Sequence, residues 1–394
     1  MRAVYFAAAR RTPIGKLRGG LSHIRPDDLA ATVIRTLVEG IDPARVDEVY
    51  WGAANQAGED NRNVARMAVL LAGLPESVPG ATVNRLCASG MEAVTIAART
   101  IAAGEADVVV AGGSESMSRA PFVLPRPDDA LPNAMAIADT RLGWRLVNPR
   151  MKDLHGLLSM GETAEEVAAR YDVSRDRQDA FALRSHQLAA AARDAGDFAA
   201  EIIPVTGADA EPVTADEGIR ADTSLAKLGN LKPVFKAGGT VTAGNSSPLN
   251  DGAAGLLLVS EDALRDLDLE PLGRYVAGAS AGVHPDVMGI GPVPATGRVL
   301  ARSGWKLGDV QEAELNEAFA AQALAVTDQL ARDGFDPAIV NPSGGAIALG
   351  HPLGCSGARI LTTLLHRMRR TGATRGLATM CVGVGQGSAV LVER

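Results

Sequence analysis

The chain has 394 residues, 46% hydrophobic, 22% charged and only 4% aromatic, with 43 glycines and a net charge of -7. That length exceeds one ordinary domain, and the acidic balance with few aromatic rings argues against a nucleic-acid reader or a binder of anionic membranes, leaving room only for a local basic pocket. Three cysteines, Cys87, Cys355 and Cys381, cannot all pair, and they form no close ligand pair with the six scattered histidines, so neither a disulfide framework nor a metal site is expected.

No apolar run approaches the roughly 20 residues that span a bilayer, and the N-terminal apolar stretch is too short for a signal peptide. The expected compartment is therefore reducing and cytoplasmic, with no membrane partner.

In chain order, a strand is predicted over 3–8 and an amphipathic helix over 27–39. VDEVYWGAAN (46–55) follows, then a strand over 81–86, a helix over 88–103 and the apolar strand ADVVVAGG (106–113). DVVVAGG shows no polar alternation, as expected of a strand covered on both faces.

PFVLPRPDDALP (121–132) then carries four prolines, which exclude regular structure and imply an extended excursion. Two helices come next, one beginning near Glu162 and one capped by Ser174 that carries Phe181, Leu183 and Leu188 toward a core.

From 274 the order repeats. RYVAGASAGV (274–283) matches the first strand, and VQEAELNEAFA (310–320) matches VDEVYWGAAN. The second pass continues through GARILTTLLHRMRR (357–370) into RGLATMCVG (375–383). Each pass closes on a similar apolar strand, NDGAAGLLLVSE (250–261) or VGQGSAVLVER (384–394). A shared order of matches points to duplication, and alternating strands and helices point to α/β layers.

Three glycine-flanked stretches carry the candidate chemistry. In NRLCASG (84–90), Cys87 falls just before a helix, where free backbone N–H groups and the positive end of the dipole favour a thiolate. The alternative is a small buried hydrophobe. NPSGGAIALGHPLGCSGAR (341–359) has five glycines in nineteen residues and holds His351 between Gly350 and Pro352. LATMCVGVGQG (377–387) ends an apolar strand at Cys381. If the halves are related, Cys87 and Cys381 fall near corresponding strand ends and meet at the pseudo-twofold. Cys355 has no such setting and is assigned to packing.

Over its whole length the chain resembles the thiolases, which transfer acyl groups between a cysteine and coenzyme A. The resemblance rests on NRLCASG, AGGSESMS (111–118), VTAGNSSPLNDGAA (241–254), NEAFA (316–320), GHPLGCSGAR (350–359) and MCVGVGQG (380–387), in family order from RTPIG (11–15) onward. It implies duplicated βαβ-type halves in a five-layer αβαβα core. Residues 1–118 with 250–270 would form the N-terminal half and 271–394 the C-terminal half. Residues 119–249 would form an inserted loop subdomain for CoA binding and oligomer contact.

By the same resemblance Cys87 carries the acyl group, His351 activates it, and Cys381 is the general acid and base. Asn316 would hold a water that acts with His351 on the thioester enolate. The backbone N–H groups of Cys87 and Gly383 would form an oxyanion hole. Arg220, Ser224, Leu225, Phe235, Ala243, Ser247, Met288, Ala318 and Phe319 match positions that line the family's CoA pocket. Arg220, Lys227, Lys232 and Lys236 supply local positive charge for phosphates. CoA is expected as a co-substrate, with no resident cofactor and no metal, in a homodimer or homotetramer whose contact involves the excursion from 121 onward.

Ser159 stands where acetoacetyl-CoA thiolases commonly have histidine, and Pro248 where the family often has glycine; both bear on acyl-chain preference. ANQAGEDNRNVARMAVLLAGLPESVPG (54–80) and GWRLVNPRMK (143–152) are most similar to 3-oxoadipyl-CoA thiolases. Such a substrate ends in a carboxylate, for which Arg145, Arg150, Lys152 and His155 are candidate partners. Acetoacetyl-CoA and fatty 3-oxoacyl-CoA are the alternative substrates. Related condensing enzymes use a cysteine with two histidines, or with a histidine and a glutamate, where this chain offers Cys381. A non-catalytic carrier of the same fold would be expected to lack one of the four catalytic groups, and none is missing.

Overall fold

The computed structural model describes residues 2–127, 134–206 and 211–394. Its first half contains β1 (Val4–Arg11), α1 (Pro26–Leu37), β2 (Glu48–Gly52), α2 (Val64–Leu71), β3 (Gly80–Val83), α3 (Ser89–Ala103) and β4 (Val108–Ser116). After α4 (Met160–Arg170) and α5 (Arg175–Asp194), β5 (Asn250–Ser260) returns to the same sheet. The second half contains β6 (Gly273–Gly282), α6 (Pro292–Ser303), β7 (Glu312–Leu315), α7 (Ala320–Ala331), α8 (Leu353–Thr371), β8 (Arg375–Val382) and β9 (Gln386–Glu393).

The strand order is β7-β8-β9-β6-β1-β5-β4-β2-β3, with the short strand Gly15–Lys16 on β5. The sequence β2-β4-β5-β1 therefore recurs as β7-β8-β9-β6. In both halves the first pairing is parallel and the next two are antiparallel. Duplication in the primary sequence is thus matched in topology, and the half-sheets join where Tyr5 and Phe6 pair with Arg274 and Gly273.

Five layers follow from where the side chains go. One buried cluster places Met91, Val94 and Ile101 of α3 with Leu361, Leu364 and Met368 of α8, between Val109 and Leu256 on one sheet and Met380 and Val390 on the other. A second packs α1 and α2 on the outer face of the first sheet, and a third packs α6 and α7 outside the second. Every residue of β4 is buried, Val109 and Ala111 facing inward and Val108 and Val110 outward. By composition, Leu86–Ala103 is long and apolar enough to cross a membrane, contrary to the expectation that no such run exists. Here it forms the central layer.

The two central helices approach closely because glycines face each other. A Cβ on Gly90 would lie 2.7 Å from the Gly354 oxygen, and one on Gly113 would lie 2.1 Å from it. Side chains there would force α3, α8 and β4 apart.

RTPIG owes its first residue to a buried ion network. Arg11, 0% exposed, donates through Nε to Glu201 at 2.7 Å and through Nη1 and Nη2 to Asp216 at 2.7 and 3.0 Å. Glu201 also accepts from Thr363 of α8 at 3.2 Å, and Asp216 from the Ile14 backbone at 2.8 Å. The network ties the segment after α5 to both halves. Arg11→Ala would leave two carboxylates buried without their cation, so it is expected to lower unfolding free energy by about 3–5 kcal/mol. Urea unfolding checks this, and a loss below about 1 kcal/mol would contradict it.

Ser174 caps α5 as expected, accepting from the Arg177 backbone. Its buried face, however, carries Gln178, Asp179, Ala182, Ser185, His186 and Ala189, while Phe181, Leu183 and Leu188 are only half-buried. Small and polar residues win here because the helix supports a hydrogen-bonded loop: Asp179 accepts from Asn245 at 2.9 Å and Ser185 donates to Glu317 at 2.7 Å. In the proline-rich excursion, Phe122 and Val123 pair with Asp139 and Ala138, while residues 128–133 lie outside the described residues.

Candidate active site

Cys87 sits in a tight turn between β3 and α3, behind a strand that ends at Val83 and not at 86. Leu86 adopts φ 48, a left-handed conformation that is costly for a leucine. Neighbours in the same motif hold it there. Asn84 Oδ1 accepts the Leu86 N–H at 2.8 Å, and Ser89 Oγ accepts the Arg85 N–H at 2.9 Å while donating to the Leu86 carbonyl at 2.6 Å. Asparagine and serine are required at those places because each supplies an acceptor one turn from an unpaired N–H.

Cys381 lies inside β8, whose counterpart is β4, whereas Cys87 follows β3, which has no counterpart among the second half's described strands. The two thiols therefore do not occupy corresponding strand ends. The residue equivalent in placement to Cys87 is His351, just before α8 as Cys87 is just before α3. All three nevertheless converge on one cavity of about 280 Å³, together with Gly383, Met160, Met288, Ala318, Phe319, Phe235 and Ser247. Ser159 and Pro248 also line it; Ser159 is the N-cap of α4, in a capping box with Glu162.

His351 is fixed on three sides. Its backbone N–H donates to Asn250 Oδ1 at 2.9 Å, and Asn250 Nδ2 donates to the Gly15 carbonyl at 2.8 Å. Its Nδ1 lies 2.6 Å from Ser356 Oγ, and that hydroxyl donates its single proton to the Pro352 carbonyl at 3.0 Å. Ser356 must then accept from Nδ1–H, which leaves Nε2 with a lone pair. Asn316 Nδ2 lies 3.5 Å from the ring, and its buried Oδ1 has no partner among the described residues. Asn316 is wholly buried and stands behind His351 without lining the cavity.

The resting site is uncharged. Burial pushes the Cys87 thiol up to about 11; the Gly383 and Cys87 backbone N–H groups oppose this and Glu115 adds to it. Cys87 is half-buried, and desolvation outweighs the favourable backbone N–H groups, so the net direction is upward. Cys381 is raised further, by burial and then by the neighbouring Cys87. Burial and the Arg359 charge push His351 down to about 3. The geometry thus presents two thiols, a neutral imidazole acceptor and two backbone donors around one sulfur, an arrangement suited to acyl transfer through a thioester.

Three supporting residues received no role in the sequence reading, although all lie within its motifs: Ser356, Asn250 and Glu115. Glu115 accepts backbone N–H groups from Ala54 at 2.9 Å, Asn55 at 3.1 Å and Gly354 at 2.9 Å, linking the end of β2 to the head of α8. Burial raises its carboxyl to about 7. Cys355 is fully buried in the central cluster, as its assignment to packing requires.

Of the nine expected CoA contacts, Phe235, Ser247, Met288, Ala318 and Phe319 line the cavity, and Phe235 packs edge-on against Phe319 at 6.3 Å. Ser224 is half-buried as the N-cap of the short helix Leu225–Gly229, while Arg220, Leu225 and Ala243 are exposed; none of the four lines the cavity. The basic group there is partly neutralised, Lys227 by Asp222 at 2.6 Å and Lys236 by Glu166 at 3.8 Å.

A thiol-based acyltransferase is the class this fold and site define. The family model for the thiolase N-terminal domain matches residues 4–262, and that for the thiolase C-terminal domain matches 269–394. Beta-ketoadipyl-CoA thiolase of Pseudomonas knackmussii is 56% identical over 100% of this chain and 99% of its own length. 3-Oxoadipyl-CoA/3-oxo-5,6-dehydrosuberyl-CoA thiolase of Escherichia coli is 51% identical over 100% of both. The crystal structure of Bacillus anthracis acetyl-CoA acetyltransferase superposes with a TM-score of 0.93 at 42% identity, covering 100% of this chain and 99% of that one. The chain belongs to the thiolase family and is an acyl-CoA C-acyltransferase.

Proposed function

We propose that this thiolase cleaves 3-oxoadipyl-CoA with CoA to give succinyl-CoA and acetyl-CoA, and that Cys87, His351, Cys381 and Asn316 carry the steps. The substrate rests on one observation, full-length identity of 56% and 51% to relatives named for 3-oxoadipyl-CoA. Ser159 and Pro248 in the cavity wall accord with an acyl preference other than acetoacetyl.

In this reading His351 Nε2 takes the Cys87 proton as the sulfur attacks the keto carbon, so no free thiolate accumulates at Cys87 and the imidazolium always faces an anion: the oxyanion, then the enolate, then the Cys381 thiolate. The Cys87 and Gly383 N–H groups receive the developing oxyanion, each well-aimed donor contributing on the order of 3 kcal/mol. The carbon-carbon bond then breaks, its electron pair passing to the acetyl-CoA fragment as an enolate. Imidazolium Nε2–H and a water held by the unpartnered Asn316 Oδ1 stabilise that enolate, and Cys381 protonates its carbon. The Cys381 thiolate accepts the proton of the incoming CoA thiol. CoA sulfur attacks the succinyl thioester, and His351 returns its proton to Cys87.

Purified protein supplied with CoA is expected to turn over 3-oxoadipyl-CoA with kcat/KM at least about 10-fold above that for acetoacetyl-CoA, a modest specificity for one substrate feature. Mass analysis of the products should find succinyl-CoA. Ready cleavage of acetoacetyl-CoA with 3-oxoadipyl-CoA left intact would overturn the substrate assignment.

A further inference from the structure

A second chamber of about 300 Å³ also opens on Cys87 and shares Met160, Leu353 and Gly383 with the first. Its wall is largely apolar too, through Leu86, Trp144 and Val384, but it adds two cationic side chains that the first chamber lacks. Asn55, Asn84, Thr140, Arg141 and Arg145 contribute to it.

We propose that this chamber receives the acyl tail and that Arg145 binds its terminal carboxylate, with Asn55 positioning the guanidinium; this rests on the 3-oxoadipyl-CoA reading. Once the carbon-carbon bond has broken, Cys87 carries a succinyl thioester whose carboxylate stands only two methylenes beyond the thioester carbonyl. A group so short must find its cation in the space that Cys87 itself lines. Arg150, Lys152 and His155 belong to the exposed helix Pro149–His155 and line neither chamber.

The two arginines of the chamber differ in what already holds them. Arg141 is paired with Asp139, Nε to Oδ2 at 2.8 Å. Arg145 is engaged, among the described residues, only by Asn55 Oδ1 and the Thr140 carbonyl, each at 3.4 Å, the long limit of a hydrogen bond. The buried Asp60 carboxylate feels the Arg145 charge but forms no ion pair with it. The guanidinium therefore keeps donors for a bidentate carboxylate, the arrangement arginine serves best.

Asn55 is itself rigid. Its Nδ2 donates to the Thr140 carbonyl and hydroxyl at 3.2 and 3.0 Å, and its backbone N–H to Glu115 at 3.1 Å. Glu115 also holds the head of α8 through Gly354, so the cation and the catalytic histidine share one support. Arg145 thus serves specificity, and the bond chemistry stays with the residues already named.

The test compares 3-oxoadipyl-CoA with 3-oxohexanoyl-CoA, which has the same chain length but ends in methyl, on wild type, Arg145→Gln and Arg145→Lys. Wild type should prefer the carboxylate substrate in kcat/KM. Arg145→Gln should reduce that preference by about 10- to 100-fold, as expected on loss of hydrogen bonds to a charged group. Arg145→Lys should restore part of it through charge alone. An unchanged preference in Arg145→Gln, or equal losses on both substrates, would overturn the assignment of Arg145 while leaving the substrate reading intact. Failure of wild type to cleave 3-oxoadipyl-CoA would overturn both.

Discussion

Cys87→Ala is expected to lower kcat for thiolysis by about 10⁴-fold or more, the scale on which removal of a covalent nucleophile is felt. The loss should not come from unfolding. The turn is held by Asn84 and Ser89 through the Leu86 and Arg85 backbone, and among the described residues no hydrogen bond donated by the Cys87 side chain supports it. Incubation of wild type with succinyl-CoA should add one succinyl mass to the peptide bearing Cys87, and the variant should gain none. Label on Cys355, or none in wild type, would sink the mechanism.

The pH dependence is specific as well. With the thiol raised to about 11 and the imidazole lowered to about 3, the protonated thiol and neutral imidazole dominate between those values. Alkylation of the free enzyme at Cys87 should therefore keep rising with pH above neutrality. A plateau already reached near pH 6 would instead indicate a preformed thiolate-imidazolium pair, and would contradict the desolvated neutral site.

Topology was legible because order, spacing and buried-strand composition survive in single letters. VQEAELNEAFA aligns with VDEVYWGAAN, and those segments became β7 and β2, each parallel to the next strand of its half. What pairs with what in the site was less legible. Cys87 and Cys381 both follow apolar runs, yet only the three-dimensional order reveals that Cys87 corresponds to the place of His351. Ser356 and Asn250 carry no local signal, since neither a serine on α8 that accepts from the His351 ring nor an asparagine on β5 that meets the His351 and Gly15 backbone stands out in single letters.

The net shift of the thiol was not legible for a physical reason. A helix end contributes a modest, local field, whereas burial acts on the whole charge, and burial is not written in the seven residues NRLCASG. The choice among Arg145, Arg150, Lys152 and His155 is similar. All four are basic residues within one short stretch, and only the path of the chain decides that Arg145 lines the chamber while the others ride on an exposed helix.

Cys381→Ala is expected to separate the two half-reactions that Cys87→Ala removes together. Carbon-carbon bond cleavage and condensation should fall by about 10²- to 10⁴-fold, the usual contribution of a general acid or base. In exchange of labelled CoA into an acyl-CoA no carbon is protonated, so no Cys381 thiolate has to be discharged and His351 can pass the proton between the CoA and Cys87 sulfurs; exchange should therefore persist at a far higher fraction of its original rate.

The electrostatics give Cys381 a reason to act when it does. Its thiol is raised by burial and secondly by the neighbouring Cys87 sulfur. That second cause acts only while Cys87 is a thiolate, and an acylated Cys87 cannot ionise, so no anion opposes the Cys381 thiolate at the stage when an α-proton must be taken from the second thioester. A thiolate formed in so desolvated a place remains a strong base, as abstraction from a weak carbon acid demands. Isotope exchange at the acetyl-CoA methyl group should vanish in the variant together with condensation. Retention of condensation at the wild-type rate would remove Cys381 from the base role. An equal fall in CoA exchange would show that the residue serves the cavity's structure and not its proton.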